Sequence, residues 1–322
     1  MDERKLGNSE LSVSPLCLGG NVFGWTADED TSFEILDAFV DAGFNFIDTA
    51  DVYAKWVPGN RGGESEAILG AWFKRSGNRK RVVLATKVGS EMPGVGKGLS
   101  RKYIMSAVED SLRRLQTDYI DLYQTHYDDP ETPIEETLRV YTDLIQQGKV
   151  RAIGASNMTP ERLLESLKTS KRLGIPRYQT LQPLYNLYDR TGFETQYEPV
   201  CREHRLGVLP YFSLAAGFLT GKYREEDDLS ISPRGEMVKK YLNPRGFRIL
   251  EALDRVAKEC RATSAKVAVA WLLTRPTVTA PIASATSLSQ LNGLMEATRL
   301  KLQPEQVETL DRASEEYAQG RP

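Results

Sequence analysis

The sequence predicts an α/β protein that folds as a (β/α)8 barrel, with a β-hairpin before the first barrel strand. Three observations predict this fold class. About eight short apolar runs are each followed by a segment with helical character, which is the pattern of a parallel sheet. The runs are apolar on both faces, as expected for strands that are covered by a barrel core and a layer of helices. The length of 322 residues suits eight such units.

The predicted elements follow one another in a regular order. Residues 5–16, KLGNSELSVSPL, predict the hairpin, which would close the floor of the barrel. Ser100 and Thr159 are placed as helix N-caps, because a hydroxyl can accept a hydrogen bond from a first-turn amide. The predicted strands cover 13–20, 44–48, 81–87, 118–126, 150–157, 179–183, 206–212 and 279–283. The predicted helices cover 31–43, 64–75, 100–116, 134–148, 159–174 and 287–297.

We expect a single domain that spans residues 1–322, because no low-complexity linker divides the chain. The alternative fold is an open, doubly wound sheet, which normally carries a phosphate-binding turn after its first strand. The corresponding residues here, LCLGGNVFG at 16–24, lack the GxGxxG spacing of that turn. The barrel is therefore the favoured interpretation.

Composition limits the classes of partner and the cellular location. Charged residues make up 27% of the chain, but the net charge of −2 gives no reason to expect nucleic acid or a membrane as partner. No apolar run approaches the ~20 residues needed to span a bilayer. The charged start, MDERKLGNSE, lacks the apolar core of a signal peptide. Three separated cysteines and two separated histidines predict no disulfide framework and no metal site. We therefore expect a cytoplasmic protein.

Polar or ionisable side chains follow neighbouring predicted strands at the points where the strands end. Asp48 ends the second apolar run, with Tyr53 five residues later, while Lys87 ends the third run and His126 the fourth. The C-terminal ends of parallel barrel strands all lie at one mouth, so these side chains should converge there. A buried carboxylate is costly unless it is paired. We therefore predict an ion pair between Asp48 and Lys87.

The chemistry that these residues predict is proton transfer through a phenol. A free tyrosine has a pKa of about 10, and a nearby ammonium lowers it. We therefore predict that Lys87, held in place by Asp48, lowers the pKa of Tyr53. His126 would donate a hydrogen bond to a substrate oxygen and orient it. Asp51 lies in the turn after the strand, and we predict that it is exposed to solvent or caps the turn.

Four motifs stand at or near the predicted strand ends: DTADVY at 48–53, ATKVG at 85–89, QTHYDDP at 124–130 and IGASN at 153–157. These motifs resemble those of the aldo-keto reductases, and the similarity runs from the predicted hairpin almost to the end of the chain. The branch that they resemble includes NADP-dependent bacterial reductases and potassium-channel β subunits.

The resemblance implies an oxidoreductase that reduces an aldehyde or ketone to an alcohol, or catalyses the reverse reaction. The hydride would come from NADP(H), with NAD(H) as the alternative. Tyr53 would be the general acid, Asp48 and Lys87 would tune it, and His126 would orient the substrate. Because the channel β subunits retain these residues, a cofactor-binding regulatory or sensor subunit stays open as the alternative function.

The resemblance also implies a cofactor site. Ser156, Asn157 and Gln182 would hold the nicotinamide carboxamide, and Tyr211 would stack under the nicotinamide ring. The other implied contacts are Gly20, Asn21, Phe212, Ser213, Leu214, Ala216, Gly217, Lys222, Ser284, Thr286 and Gln290. Many relatives carry a lysine or arginine for the 2′-phosphate of NADPH where this chain has Ser284, Thr286 and Gln290. We therefore expect a reduced preference for NADPH over NADH.

Two further regions bear on ligands. The segment 233–246 is either a solvated surface loop or a flap over the cofactor pyrophosphate, and Lys239 and Lys240 in it could reach a cofactor phosphate. Trp25, Trp56 and Tyr127 are expected to line the pocket for a small carbonyl substrate. We expect a monomer or a weak homo-oligomer.

Overall fold

The computed structural model describes residues 2–316, which form a closed (β/α)8 barrel preceded by a β-hairpin. The predicted fold class is confirmed. Met1 and residues 317–322, at the two ends of the predicted domain, lie outside the described residues. The hairpin strands are β1 (Arg4–Lys5) and β2 (Ser12–Val13). The barrel strands are β3 (Cys17–Gly19), β4 (Phe46–Asp48), β5 (Val83–Val88), β6 (Ile120–Thr125), β7 (Val150–Ser156), β8 (Tyr178–Gln182), β9 (Gly207–Val208) and β10 (Ile282–Ala283).

The barrel strands pair in parallel, in the order β10-β3-β4-β5-β6-β7-β8-β9. Backbone hydrogen bonds between the segments around β9 and β10 close the ring. The amide of Thr279 donates to the carbonyl of Val208 at 2.8 Å, and the amide of Ile282 donates to the carbonyl of Pro210 at 2.9 Å. The predicted strand 206–212 is shorter than expected, since Pro210 has no amide with which to continue the ladder. All the strand C-terminal ends therefore face one mouth.

Helices cover the outside of the sheet. The predicted N-caps are present: the side chains of Ser100 and Thr159 accept hydrogen bonds from the amides of Tyr103 and Arg162. The helices are α1 (Glu29–Asp41), α2 (Glu64–Ser76), α3 (Arg101–Leu115), α4 (Ile134–Gln146), α5 (Pro160–Leu173), α6 (Glu198–His204), α7 (Gly235–Val238), α8 (Pro244–Cys260), α9 (Ser264–Leu273), α10 (Leu288–Ala297) and α11 (Pro304–Ser314).

The hairpin closes the end of the barrel opposite the mouth. Leu6 and Val13 are fully buried in an apolar cluster inside the barrel. Gly7 has a φ of +61°, and a Cβ added there would lie 2.1 Å from the carbonyl oxygen of Gln179, so the close approach of the hairpin requires a glycine. Arg4 adds a hydrogen bond from Nη1 to the carbonyl of Val278 at 3.0 Å. The floor is therefore sealed, and the mouth is the open end.

A second apolar core fills the space between the strands and the helices. Trp72 in α2 and Trp271 in α9 are fully buried there. Among residues 2–316, no helix combines the length and the hydrophobicity that a membrane span requires.

Candidate active site

Lys87 is the centre of a hydrogen-bonded group at the mouth of the barrel. Its side chain is fully buried in β5. The ammonium donates to Oδ2 of Asp48 at 2.5 Å, to the carbonyl of Thr49 at 2.8 Å and to Oη of Tyr53 at 2.9 Å. The predicted pair of Asp48 and Lys87 is therefore present. Because an ammonium has three N–H groups, all of them are used, and Tyr53 can only accept from Lys87.

The second carboxylate oxygen of Asp48 is also satisfied. Oδ1 accepts from Nε2 of Gln124 at 3.0 Å and from Nε2 of Gln182 at 2.9 Å. Both glutamines are buried, so the carboxylate is held by an ammonium and two amides away from water. Gln124 is a site residue that the strand-end pattern does not predict. The only signal is a glutamine inside the apolar run DYIDLYQTH.

The predicted lowering of the Tyr53 pKa is wrong. Burial is the largest influence and raises the pKa of Tyr53, and the Asp48 carboxylate raises it further. The Lys87 ammonium lowers this pKa but does not outweigh burial. Burial also opposes the ammonium of Lys87, but the negative charge of Asp48 and the Tyr53 oxygen outweigh it and raise the pKa of Lys87. Tyr53 therefore stays protonated at neutral pH and can act as a proton donor.

His126 follows β6 and faces Tyr53, with 6.0 Å between the two ring centroids. Burial lowers the pKa of His126 well below its usual value, and the charges of Lys87 and Lys55 add to this effect. The imidazole is therefore neutral at physiological pH. Its Nδ1 is buried without a hydrogen-bond partner. A buried acceptor without a partner is tolerated better than a buried donor, so we place the single ring proton on Nε2.

A cavity of about 2310 Å³ opens at this mouth, and Asp48, Tyr53 and His126 are part of its wall. A pocket for one drug-sized ligand has a volume of roughly 300–1,000 Å³. The cavity extends from Tyr53 along the loop 211–222 to the facing surfaces of α9 and α10. It therefore has room for a dinucleotide and a small substrate together.

Comparison with known proteins shows which family combines this barrel with this site. Residues 15–315 match the aldo/keto reductase family. The chain belongs to this family. Similar proteins include the aldo-keto reductase YhdN of Bacillus subtilis, which is 36% identical over 303 residues, covering 92% of this chain and 87% of that protein. The oxidoreductase YrpG of the same organism is 35% identical over 319 residues, covering 97% of this chain and 95% of that protein. A probable voltage-gated potassium channel subunit beta of Arabidopsis thaliana is 33% identical over 305 residues (92% and 91%).

Most of the expected cofactor residues of this aldo/keto reductase line the cavity that opens beside Tyr53. Gly20 does not: its carbonyl accepts a hydrogen bond from Ser65 at 2.7 Å, and the neighbouring Gly19 lies in the wall instead. The expected residues in the wall are Asn21, Ser156, Asn157, Gln182, Tyr211, Phe212, Ser213, Leu214, Ala216, Gly217, Lys222, Ser284, Thr286 and Gln290.

The four residues expected at the nicotinamide end contact one another. Ser156 donates to the carbonyl of Gln182 at 2.9 Å, and Asn157 Nδ2 donates to the carbonyl of His126 at 2.9 Å. Oη of Tyr211 donates to Oδ1 of Asn157 at 3.2 Å. The two N–H groups of the Gln182 amide donate to Oδ1 of Asp48 at 2.9 Å and to Oε1 of Gln124 at 3.2 Å, so only the amide oxygen of Gln182 is left for a ligand. These contacts fix the position of the Tyr211 ring beside the strand ends.

The loop after Tyr211 has an irregular backbone. Phe212, Ala215, Ala216 and Gly217 have positive φ values, and the amides of Ala215 and Gly217 donate to the carbonyls of Phe212 and Leu214 within the loop. Lys222 lies at the end of this loop in the cavity wall. The combination of an irregular small-residue turn and a cation suits a pyrophosphate.

The residues expected at the 2′-phosphate end are already hydrogen-bonded within the protein. Ser284 donates to Oδ1 of Asn21 at 2.5 Å. The hydroxyl of Thr286 donates to Oε1 of Gln290 at 3.2 Å, and the Thr286 amide donates to the same oxygen at 2.9 Å. None of these groups carries a charge, so this part of the wall supplies polar contacts only.

The segment 233–246 is folded against the cavity rather than extended into solvent. Arg234 lines the cavity, and its guanidinium carbon lies 5.3 Å from the centre of the Trp25 ring. Its Nη2 is buried without a hydrogen-bond partner, and burial lowers the pKa of Arg234. A buried cation of this kind favours an anionic ligand, in agreement with the flap interpretation.

The flap lysines do not support that interpretation. Neither Lys239 nor Lys240 lines the cavity. The ammonium of Lys240 forms an ion pair with Asp189 instead, at 3.7 Å from Oδ1. The expectation that these lysines reach a cofactor phosphate is therefore wrong.

Aromatic side chains form the outer part of the cavity. Trp25, Trp56 and Tyr127 all line it, as expected for a substrate pocket. The Trp56 ring lies edge-to-face against both Trp25 and Tyr53, at centroid distances of 5.6 and 5.7 Å. Trp56 and Tyr127 are 44% and 49% exposed, and the exposed apolar residues Ile231 and Met237 lie at the same mouth. An apolar surface exposed at a cavity mouth is typical of a binding site.

The prediction of an exposed or capping role for Asp51 is wrong. Its side chain is 2% exposed, and both carboxylate oxygens are buried without a hydrogen-bond partner. The turn brings the Asp51 amide to the carbonyl of Lys87, which directs the carboxyl into the protein beside Glu66. Burial raises the pKa of Asp51 well above its usual value, and the charge of Glu66 raises it further.

We predict that Asp51→Asn stabilises the protein at alkaline pH. A carboxyl whose pKa is raised in the folded state makes the protein less stable as pH rises above the unfolded value of about 4. The amide does not titrate, so the free energy of unfolding of the variant should exceed that of the wild type by about 1–3 kcal/mol at pH 8. The two free energies should become equal near pH 4. Urea unfolding across this pH range measures the difference. Asp118→Asn, at an exposed position, is the matched control and should shift little. Parallel stability curves for Asp51→Asn and wild type would show that Asp51 is ionised at no cost.

Proposed function

We propose that this chain is a carbonyl reductase that uses a nicotinamide cofactor, and that Tyr53 is its general acid. The observation that carries the proposal is the complete use of the three N–H groups of Lys87 by Asp48, Thr49 and Tyr53. Because Tyr53 accepts from Lys87, its own proton is free to be donated into the cavity. A small carbonyl substrate beside Tyr53 would receive that proton.

The residues of the cavity fit a dinucleotide. Ser156, Asn157 and the Gln182 oxygen would hold the carboxamide, and Tyr211 would pack against the ring. The loop 212–222 and Arg234 would bind the pyrophosphate, since these residues combine an irregular small-residue turn with two cations, Lys222 and Arg234. A nicotinamide bound there supplies the hydride that reduces the carbonyl carbon.

The residues around Tyr53 then account for the proton. The substrate oxygen accepts hydrogen bonds from Oη of Tyr53 and from Nε2 of His126, which polarise the carbonyl and fix its orientation. As negative charge develops on that oxygen, Tyr53 transfers its proton and becomes a phenolate. The ammonium of Lys87 stabilises the phenolate at 2.9 Å, and Asp48 holds the ammonium in place. The same residues serve alcohol oxidation with Tyr53 as the base.

An aldehyde, ketone and sugar screen with NADPH and with NADH tests this proposal. We expect turnover with at least one carbonyl class and tighter binding of one cofactor. Cofactor binding without turnover of any substrate would favour a regulatory subunit, in line with the resemblance to the plant channel subunit. Absence of binding by either cofactor would refute the nicotinamide site.

Cys17, Cys201 and Cys260 are free, which supports a reducing cytoplasmic setting for the activity.

A further inference from the structure

Lys266 contributes a positive charge to the α9–α10 side of the cavity, in a position that the sequence motifs do not reveal. It lies in the first turn of α9 and lines the cavity. Its ammonium forms an ion pair with Glu296 of α10, which also lines the cavity. The cations elsewhere in the wall belong to other segments of the chain, such as Lys222 and Arg234.

The side chain of Lys266, from α9, passes over α10 at a glycine. Gln290, Gly293 and Glu296 follow at three-residue spacing, so they lie along one side of the helix with a rise of about 4.5 Å between successive members. A Cβ added at Gly293 would lie 3.8 Å from Cε of Lys266. The lysine therefore crosses α10 over its bare position, between Gln290 on one side and Glu296 on the other.

The bond to Glu296 is one that a stronger anion can displace. The Glu296 side chain is 58% exposed, so solvent and salt weaken the ion pair. On the other side of Gly293, Gln290 and Thr286 offer only uncharged polar groups. A phosphate bound beside Gln290 would carry about two negative charges and would compete directly with Glu296 for the ammonium.

We propose that Lys266 determines the preference of this chain for a cofactor with a 2′-phosphate. Its ammonium exchanges Glu296 for that phosphate, which binds beside Gln290 and Thr286, while Glu296 acts as the competing anion in the free protein. The inference rests on the proposed nicotinamide function. It assigns to α9 the positive charge that Ser284, Thr286 and Gln290 do not supply. It also assigns to Lys266 the role that Lys240 does not fill.

Calorimetric titration with 2′,5′-ADP and with 5′-AMP tests the assignment without turnover. Lys266→Gln should weaken 2′,5′-ADP binding about ten- to a hundredfold, the usual effect of losing a charge-assisted contact, and should change 5′-AMP binding less than about twofold. Lys266→Arg should retain most of the affinity for 2′,5′-ADP, and Glu296→Gln should increase it. Lys240→Gln is the matched control, because it removes the same charge outside the cavity.

The two levels of the proposal fail in different ways. Unchanged 2′,5′-ADP binding by Lys266→Gln, or an equal loss for both ligands, would overturn the role of Lys266 and leave the nicotinamide site intact. A wild-type protein that binds none of 2′,5′-ADP, NADPH and NADH would overturn the proposed function together with this inference.

Discussion

Tyr53→Phe should lower kcat for carbonyl reduction by about 10²–10⁴-fold, the usual contribution of general acid catalysis. The variant keeps the aromatic ring and its edge-to-face contact with Trp56 but has no proton to donate. Lys87 retains its hydrogen bonds to Asp48 and to the Thr49 carbonyl, so the barrel should remain folded. The hydroxyl acts in the chemical step, so the dissociation constant of NADPH should change little.

Tyr127→Phe is the matched control for this experiment. Tyr127 lines the same cavity, and its side chain is exposed at the mouth. Loss of its hydroxyl should leave kcat within a few-fold of wild type. The measurement is single-turnover reduction of an aromatic aldehyde, with cofactor binding followed by tryptophan fluorescence. Retention of most of the turnover by Tyr53→Phe would show that another group supplies the proton.

The raised pKa of Tyr53 gives this prediction a pH dependence. Reduction needs the protonated phenol, and burial keeps Tyr53 protonated beyond the neutral range. Ionisation of Tyr53 should therefore cause no loss of reduction rate between pH 6 and 9. The reverse oxidation needs the phenolate and should gain rate as pH rises through this range. A fall in the reduction rate near pH 7 that disappears in Tyr53→Phe would contradict the pKa direction.

The parallel fold explains why Tyr53 and the three residues around it can be predicted from the sequence. Asp48, Lys87 and His126 each stand at the end of an apolar run, and a barrel brings the ends of all its strands to one mouth. Chain order alone then predicts neighbours in space. The same reasoning cannot predict Gln124, because a polar residue inside a strand gives no sign of the partner that it meets across the barrel.

Properties that depend on exact burial are less accessible from sequence. The pKa of Tyr53 depends on how far water is excluded, and here burial outweighs the ammonium of Lys87. The turn after β4 directs Asp51 inward, although its sequence suits an exposed turn equally well. Lys266 and Glu296 are thirty residues apart along the chain, and they meet at the cavity because α9 packs against α10. Such contacts follow from packing angles rather than from a local pattern.

Lys87→Met should have the largest effect on stability, because it leaves the carboxylate of Asp48 buried with two amide donors and no counter-ion. Removing one partner of a buried ion pair typically costs about 3–5 kcal/mol. Both side chains are almost fully buried here, at 0% and 3% exposure, so solvent cannot compensate for the loss. Urea unfolding should show this deficit relative to wild type, and turnover should fall as well, since a phenolate at Tyr53 would have no cation beside it.

The double variant Asp48→Asn/Lys87→Met separates the two consequences. It removes both charges, so the penalty of the unpaired carboxylate disappears, and the asparagine oxygen can still accept from Gln124 and Gln182. We expect the double variant to recover at least about half of the stability lost in Lys87→Met, with no recovery of kcat. Recovery of both would mean that the ion pair acts on catalysis only through the integrity of the fold. Recovery of neither would mean that the unpaired charge is not the source of the instability, and that the methionine disturbs packing between β4 and β5. If the Lys87 ammonium stabilises the Tyr53 phenolate directly, the double variant should recover stability but not kcat.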